Sequence, residues 1–157
     1  MLGFTFDFGK CIGCKACQVA CKDLHDLQKG VFLRRVDEVC GGYYSGACNH
    51  CKEPACVNIC PTGAMYKTED GLTLHDDARC IGCGACATAC PYGAPALHPR
   101  YGVAVKCDAC RDRLAPACVA ACPVRALSFG ELQDTCAKAS FLPDPEPTGP
   151  SLYIKYD

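Results

Sequence analysis

Sixteen cysteines carry the chemistry available to this chain. They fall into four groups: Cys11, Cys14, Cys17 and Cys21; Cys48, Cys51, Cys56 and Cys60; Cys80, Cys83, Cys86 and Cys90; Cys107, Cys110, Cys118 and Cys122. Groups one and three are spaced C-x2-C-x2-C-x3-C. Group two opens the middle interval to four residues, and group four opens it to seven. In runs of this kind three close cysteines hold one 4Fe–4S cubane, and the fourth crosses to another cluster. Three thiolates two residues apart wrap one face of a cube. They suit a single tetrahedral zinc poorly, because zinc prefers two cysteine pairs separated by a long loop. Gly13, Gly82 and Gly84 lie inside the runs. There they let backbone N–H groups approach the sulfurs, which offsets the charge of a thiolate-ligated cluster and tunes its potential.

Composition narrows the alternatives. Of 157 residues, 18 are cysteine. Disulfides would need an oxidising compartment. The start, Met1-Leu2-Gly3-Phe4-Thr5-Phe6-Asp7, has no basic n-region, twin arginine or apolar h-region. The expectation is therefore a cytoplasmic chain, the alternative being export as the passenger of a signal-bearing partner. Net charge is −1, with 16 basic and 17 acidic residues, and no basic stripe suits nucleic acid. No apolar run approaches the roughly 18–20 residues of a membrane span. With 13 aromatic residues and no tryptophan, the core is thin, and metal ligation must supply much of the folding free energy.

Short elements have to position the thiols. Strands are expected at Phe4-Thr5-Phe6, 31–36, 103–105 and 126–129. A hairpin is expected from Ala64–Lys67 through Thr68-Glu69-Asp70-Gly71 to Leu72–His75. Ala85–Cys90 and Ala117–Cys122 read as single helical turns, and Pro61, Pro91 and Pro123 stop the turns they follow. Phe141–Pro150 holds four prolines, so it should be extended rather than helical. It forms a tail or an arm for docking on a partner, with Leu152, Tyr153 and Ile154 beyond it.

Because each fourth cysteine crosses over, the groups must pair. Groups two and three are separated by 19 residues, a hairpin's length, and make a natural two-cluster unit. Groups one and four then pair across the middle. The expected fold is α+β: two interleaved bacterial-ferredoxin-like units with little regular structure. One unit is split between 1–39 and 98–135, the other is inserted at 40–97, and 136–157 is a Pro-rich C-terminal arm.

The chain resembles the four-cluster iron–sulfur subunit of dimethyl sulfoxide reductase-type enzymes. The segments that carry the likeness are Cys11-Ile12-Gly13-Cys14-Lys15-Ala16-Cys17, Ala20-Cys21-Lys22-Asp23, Ser45-Gly46-Ala47-Cys48-Asn49-His50-Cys51, Cys60-Pro61-Thr62-Gly63-Ala64-Met65, Cys90-Pro91-Tyr92-Gly93-Ala94-Pro95 and Cys122-Pro123-Val124-Arg125-Ala126-Leu127-Ser128-Phe129-Gly130. The stretch from Val36 to Cys48 and the C-terminus are short for that family, as in the small subunits of tungsten aldehyde oxidoreductases.

The resemblance implies four 4Fe–4S clusters with these ligands: Cys11, Cys14, Cys17 and Cys122 (cluster A); Cys107, Cys110, Cys118 and Cys21 (cluster B); Cys80, Cys83, Cys86 and Cys60 (cluster C); Cys48, Cys51, Cys56 and Cys90 (cluster D). It implies a linear electron relay without catalytic residues of its own. The group one/four unit would face a large molybdenum- or tungsten-pterin catalytic subunit. The other end would face a second redox subunit, either a flavoprotein or a membrane anchor, or further copies of this chain. The rival readings are a free polyferredoxin shuttle and a structural zinc protein. Cys40 and Cys136 belong to no group and read as idle or buried thiols. His50, between two ligands, either packs or hydrogen-bonds a sulfur. His25, His75 and His98 have no ligand spacing.

Overall fold

The computed structural model describes residues 1–135 and 137–156. Its elements are short and alternate with the cysteine loops. β1 (Leu2–Asp7) enters the first loop and α1 (Ala16–Leu24) leaves it. Next come β2 (Arg35–Val39), β3 (Gly42–Gly46), α2 (Ala55–Asn58), β4 (Met65–Lys67) and β5 (Thr73–His75). Then follow α3 (Ala85–Ala89), β6 (Ala96–Leu97), β7 (Ala104–Val105), α4 (Ala117–Ala120), β8 (Leu127–Glu131) and β9 (Leu152–Lys155). Small sheets mix with single-turn helices. None of the described helices is long and apolar enough to cross a membrane.

The helices begin in two ways. Lys15 (φ 61) and Gly84 (φ 74) turn the chain through a left-handed residue into α1 and α3. The longer intervals of groups two and four end instead in Pro54 and Pro116, at the N-caps of α2 and α4. A proline there gives up an N–H that the first turn would leave unpaired anyway. α1 packs against α4, and α2 against α3.

β1 is the middle strand of a sheet ordered β8-β1-β9. It runs antiparallel to β8, with Phe4 opposite Phe129, and parallel to β9, with Phe4 opposite Leu152 and Phe6 opposite Ile154. Period-two alternation puts Phe4, Phe6, Leu127, Leu152 and Ile154 into one core with Val36 and Tyr44. Cys17, Cys48, Cys107 and Cys118 belong to that core. A second, smaller core joins Cys56 and Cys86 to Met65 and Ala104.

Two expectations need correcting. The strand expected at 31–36 begins only at Arg35, because Leu33 and Arg34 are buried in succession and break the alternation. The tail does not lie free as an arm for a neighbour. Leu152 and Ile154 are 4% and 2% exposed, since β9 completes the sheet on β1. Residues 141–150 also bend: the Thr148 and Gly149 N–H groups both return to the Pro145 carbonyl. Lys52 N–H then donates to Gly149 O, Glu53 N–H to Thr148 O, and Ser151 N–H to Asn49 O. The tail therefore straps the second cysteine loop to the central sheet.

Candidate metal centres

Close backbone approach helps shape the third cysteine loop. At Gly82 (φ +70) a side chain's first carbon would lie 2.0 Å from the Gly102 carbonyl oxygen. Only glycine fits between Cys80 and Cys83 there. Cys17 and Cys21 sit one turn apart on the same face of α1. One helix thus delivers sulfur to two places about 6 Å apart along its axis.

The sulfurs gather in sets that exchange members between groups. Cys48, Cys51 and Cys56 line one cavity with Cys90 of group three. Cys80, Cys83 and Cys86 line another with Cys60 of group two. Burial pushes the Cys11 thiol up, and neighbouring Cys17, Cys122 and Cys14 push the same way. Burial lifts the Cys21 thiol to about 12, with Cys118 and Cys110 beside it. Cys107 is raised by burial and then by the nearby Cys48. Thiols this crowded and this buried resist ionisation in the metal-free chain. A bound metal reverses that, because a coordinating thiol is deprotonated outright.

The surrounding donors fit a sulfur-rich, anionic group. Backbone N–H groups reach Cys48 from His50 (3.5 Å), Cys80 from Ala104 (3.4 Å) and Cys107 from Ala109 (3.4 Å). The three Cys-Pro cysteines accept from residues just downstream: Cys60 from Met65 (3.5 Å), Cys90 from Ala94 (3.5 Å) and Cys122 from Ala126 (3.2 Å). At Cys60 burial opposes ionisation, but N–H donation from Met65 and Thr62 outweighs it and holds the thiol at about 7. Three polar atoms at the cavities are buried without a partner among the described residues. Asn49 Nδ2 and Thr73 Oγ1 belong to residues lining the Cys48 cavity, and His75 Nε2 to a residue lining the Cys80 cavity. A buried unsatisfied polar group costs about 1–3 kcal/mol. The sulfides of a cubane would supply acceptors for such donors, and a lone zinc ion would not.

Exposure differs between the sets. Cys14 and Cys83 are exposed, whereas Cys21, Cys107, Cys110 and Cys118 are all buried. The exposed Ile12 and Ile81 flank the two accessible cysteines.

Several contributors carry no cysteine motif to announce them. Arg34 is buried and donates to Ser45 O (2.9 Å) and Ser45 Oγ (3.1 Å). Its one signal was a charge set in the apolar run 31–36. Lys106 is buried too, donating to the carbonyls of Thr73 and Cys107 (2.7 Å for the latter). His25 Nε2 lies 3.8 Å from Cys110 Sγ. His75 Nδ1 meets Asp77 at 2.9 Å. His98 Nδ1 only closes a turn, accepting from the Arg100 and Tyr101 N–H groups. Cys40 is exposed in the turn between β2 and β3. Cys136 lies outside the described residues.

Comparison with known proteins agrees with this chemistry. A 4Fe-4S dicluster domain matches residues 39–132, and a 4Fe-4S binding domain matches residues 8–24. The probable anaerobic dimethyl sulfoxide reductase chain YnfG of Escherichia coli is 42% identical over 179 positions, covering 98% of this chain and 87% of the relative. The thiosulfate reductase electron transfer subunit PhsB of Salmonella typhi is 43% identical over 144 positions, covering 82% of this chain and 75% of the relative. A tetrathionate reductase subunit of Archaeoglobus fulgidus is 42% identical over 142 positions, covering 86% of this chain and 69% of the relative.

Proposed function

The chain belongs to the iron–sulfur electron-transfer subunits of the dimethyl sulfoxide reductase type, and from that premise we propose a ligand map, an architecture and an order of relay. The bound 4Fe–4S clusters supply one-electron chemistry. The chain's own residues hold them, hydrogen-bond their sulfurs and exclude water.

The ligand map is the exchanged one. Cys11, Cys14, Cys17 and Cys122 hold cluster A, and Cys21, Cys107, Cys110 and Cys118 hold cluster B. Cys60, Cys80, Cys83 and Cys86 hold cluster C, and Cys48, Cys51, Cys56 and Cys90 hold cluster D. One observation carries it: Cys90 borders the Cys48 cavity while Cys60 borders the Cys80 cavity. The packing of α1 on α4 and of α2 on α3 supports two interleaved units, 1–39 with 98–135 and 40–97. The proximity of Cys107 to Cys48 supports a contact between the units at clusters B and D. The order is then A, B, D, C, with the exposed Cys14 and Cys83 at its two ends.

By analogy with the relatives, which are named as parts of reductases, one end docks on a catalytic subunit. We assign that to a molybdenum- or tungsten-pterin protein at the group one/four end. A second redox protein then meets the group two/three end around Cys83 and Ile81. Anaerobic analysis of the purified chain should find about sixteen irons and as many labile sulfides, four per cubane. Half of that would refute the four-cluster map.

A further inference from the structure

We propose that Arg34 is the shared counter-charge of the cluster sites A and B, and that it raises the reduction potentials of both. The inference rests on the ligand map above. Arg34 is 3% exposed, and its guanidinium carbon stands 4.7 Å from the Phe4 ring centroid. No carboxylate among the described residues pairs with it. Among the described residues its hydrogen bonds go to Ser45 alone, on the carbonyl and on the hydroxyl. Ser45 Oγ in turn lies 3.3 Å from Cys17 Sγ, a site A thiol. Phe4, on which it stacks, belongs to the core that also holds Cys107 and Cys118 of site B, and the thiols that act on its charge are Cys118, Cys107, Cys17 and Cys21, drawn from both sites. The guanidinium is therefore close to sulfurs of both sets.

An arginine stripped of water and left without an acid is costly, by several kcal/mol. The charge that offsets this cost is the negative charge of thiolate-ligated clusters. The consequence is redox. Each electron added to A or B arrives beside a fixed positive charge that solvent does not screen, so the reduced state is favoured. Lys10, Lys15, Arg111 and Arg113 are exposed, and salt screens them. Lys106 borders the cavity of site D and also acts on Cys107 of site B, but nothing among the described residues ties it to site A.

The test is an EPR-monitored redox titration of the iron-loaded full chain, wild type against Arg34→Gln and Arg34→Lys. In Arg34→Gln, the reduced-to-oxidised ratio of two clusters at fixed solution potential should fall at least tenfold. That equals a downward shift of about 59 mV for a one-electron couple. The other two clusters should not move, and Arg34→Lys should restore the wild-type values. Unchanged titrations in a fully loaded Arg34→Gln, an equal shift in all four clusters, or the same shift in Arg34→Lys would each overturn the proposal. If Arg34→Gln loses iron while a fully loaded Arg34→Lys titrates as wild type, the charge itself is required, which upholds it. Iron loss from both variants would mean that Arg34 serves only the fold. Iron content of the unmodified chain tests the underlying ligand map separately.

Discussion

The Thr73 backbone N–H donates to Nδ1 of His50 at 3.1 Å, joining β5 to the interior of the second cysteine loop. His50 is fully buried, sits at φ 44 and sends its own N–H to Cys48 Sγ. Burial and the nearby Lys106 charge hold its imidazole well below the usual histidine range, so it is neutral. With Nδ1 accepting, the proton is on Nε2. Its packing is thus part of how the loop keeps Cys48 and Cys51 in place.

His50→Ala should cost about 2–4 kcal/mol, through the cavity left behind and the orphaned Thr73 N–H. His50→Asn should recover part of this, because asparagine tolerates a positive φ and offers an acceptor. Anaerobic denaturant titration followed by cluster absorbance measures both. A His50→Ala variant as stable as wild type would contradict the bridging role.

Cys90→Ser should damage the cluster held by Cys48, Cys51 and Cys56, while the one held by Cys80, Cys83 and Cys86 persists. Cys21→Ser should likewise damage the cluster of Cys107, Cys110 and Cys118. EPR spectra of the reduced variants read this directly. Loss of the signal belonging to the mutated residue's own group would refute the exchange.

Removal of residues 151–157 should strip an edge from β1 and unfasten Asn49 and His50, to which Ser151 is bonded. Ile154→Ala alone should cost about 2–5 kcal/mol as a large-to-small core change. A truncated chain that retains full iron and wild-type stability would show that β9 is dispensable.

In the loaded protein a thiol-alkylating reagent should label exposed Cys40 and spare the sixteen grouped cysteines, whose thiolates are bound. After chelation all of these should react, and far-UV circular dichroism should fall. Metal binding free energy is folding free energy where sulfurs form part of the core, as Cys17, Cys48, Cys107 and Cys118 do here. A metal-free chain with native circular dichroism would contradict that dependence.

The amino-acid sequence by itself determined the chemistry. Cysteine spacing is local, and a C-x2-C-x2-C run presents three sulfurs to one cube wherever it is placed. Strand alternation at Phe4 and Phe6, and the hairpin of β4 and β5, were also legible, because period two is a property of neighbours along the chain. Tertiary structure alone decided the rest. β6 carries only Ala96 and Leu97 and exists because β7 lies beside it. The proline-rich end read as an arm, yet its apolar residues complete the sheet on β1, a pairing with no signature until both strands are side by side. Arg34 looked like one cation among many. The role proposed for it rests on burial near sulfurs drawn from both ends of the chain, and burial is set by packing across the whole molecule.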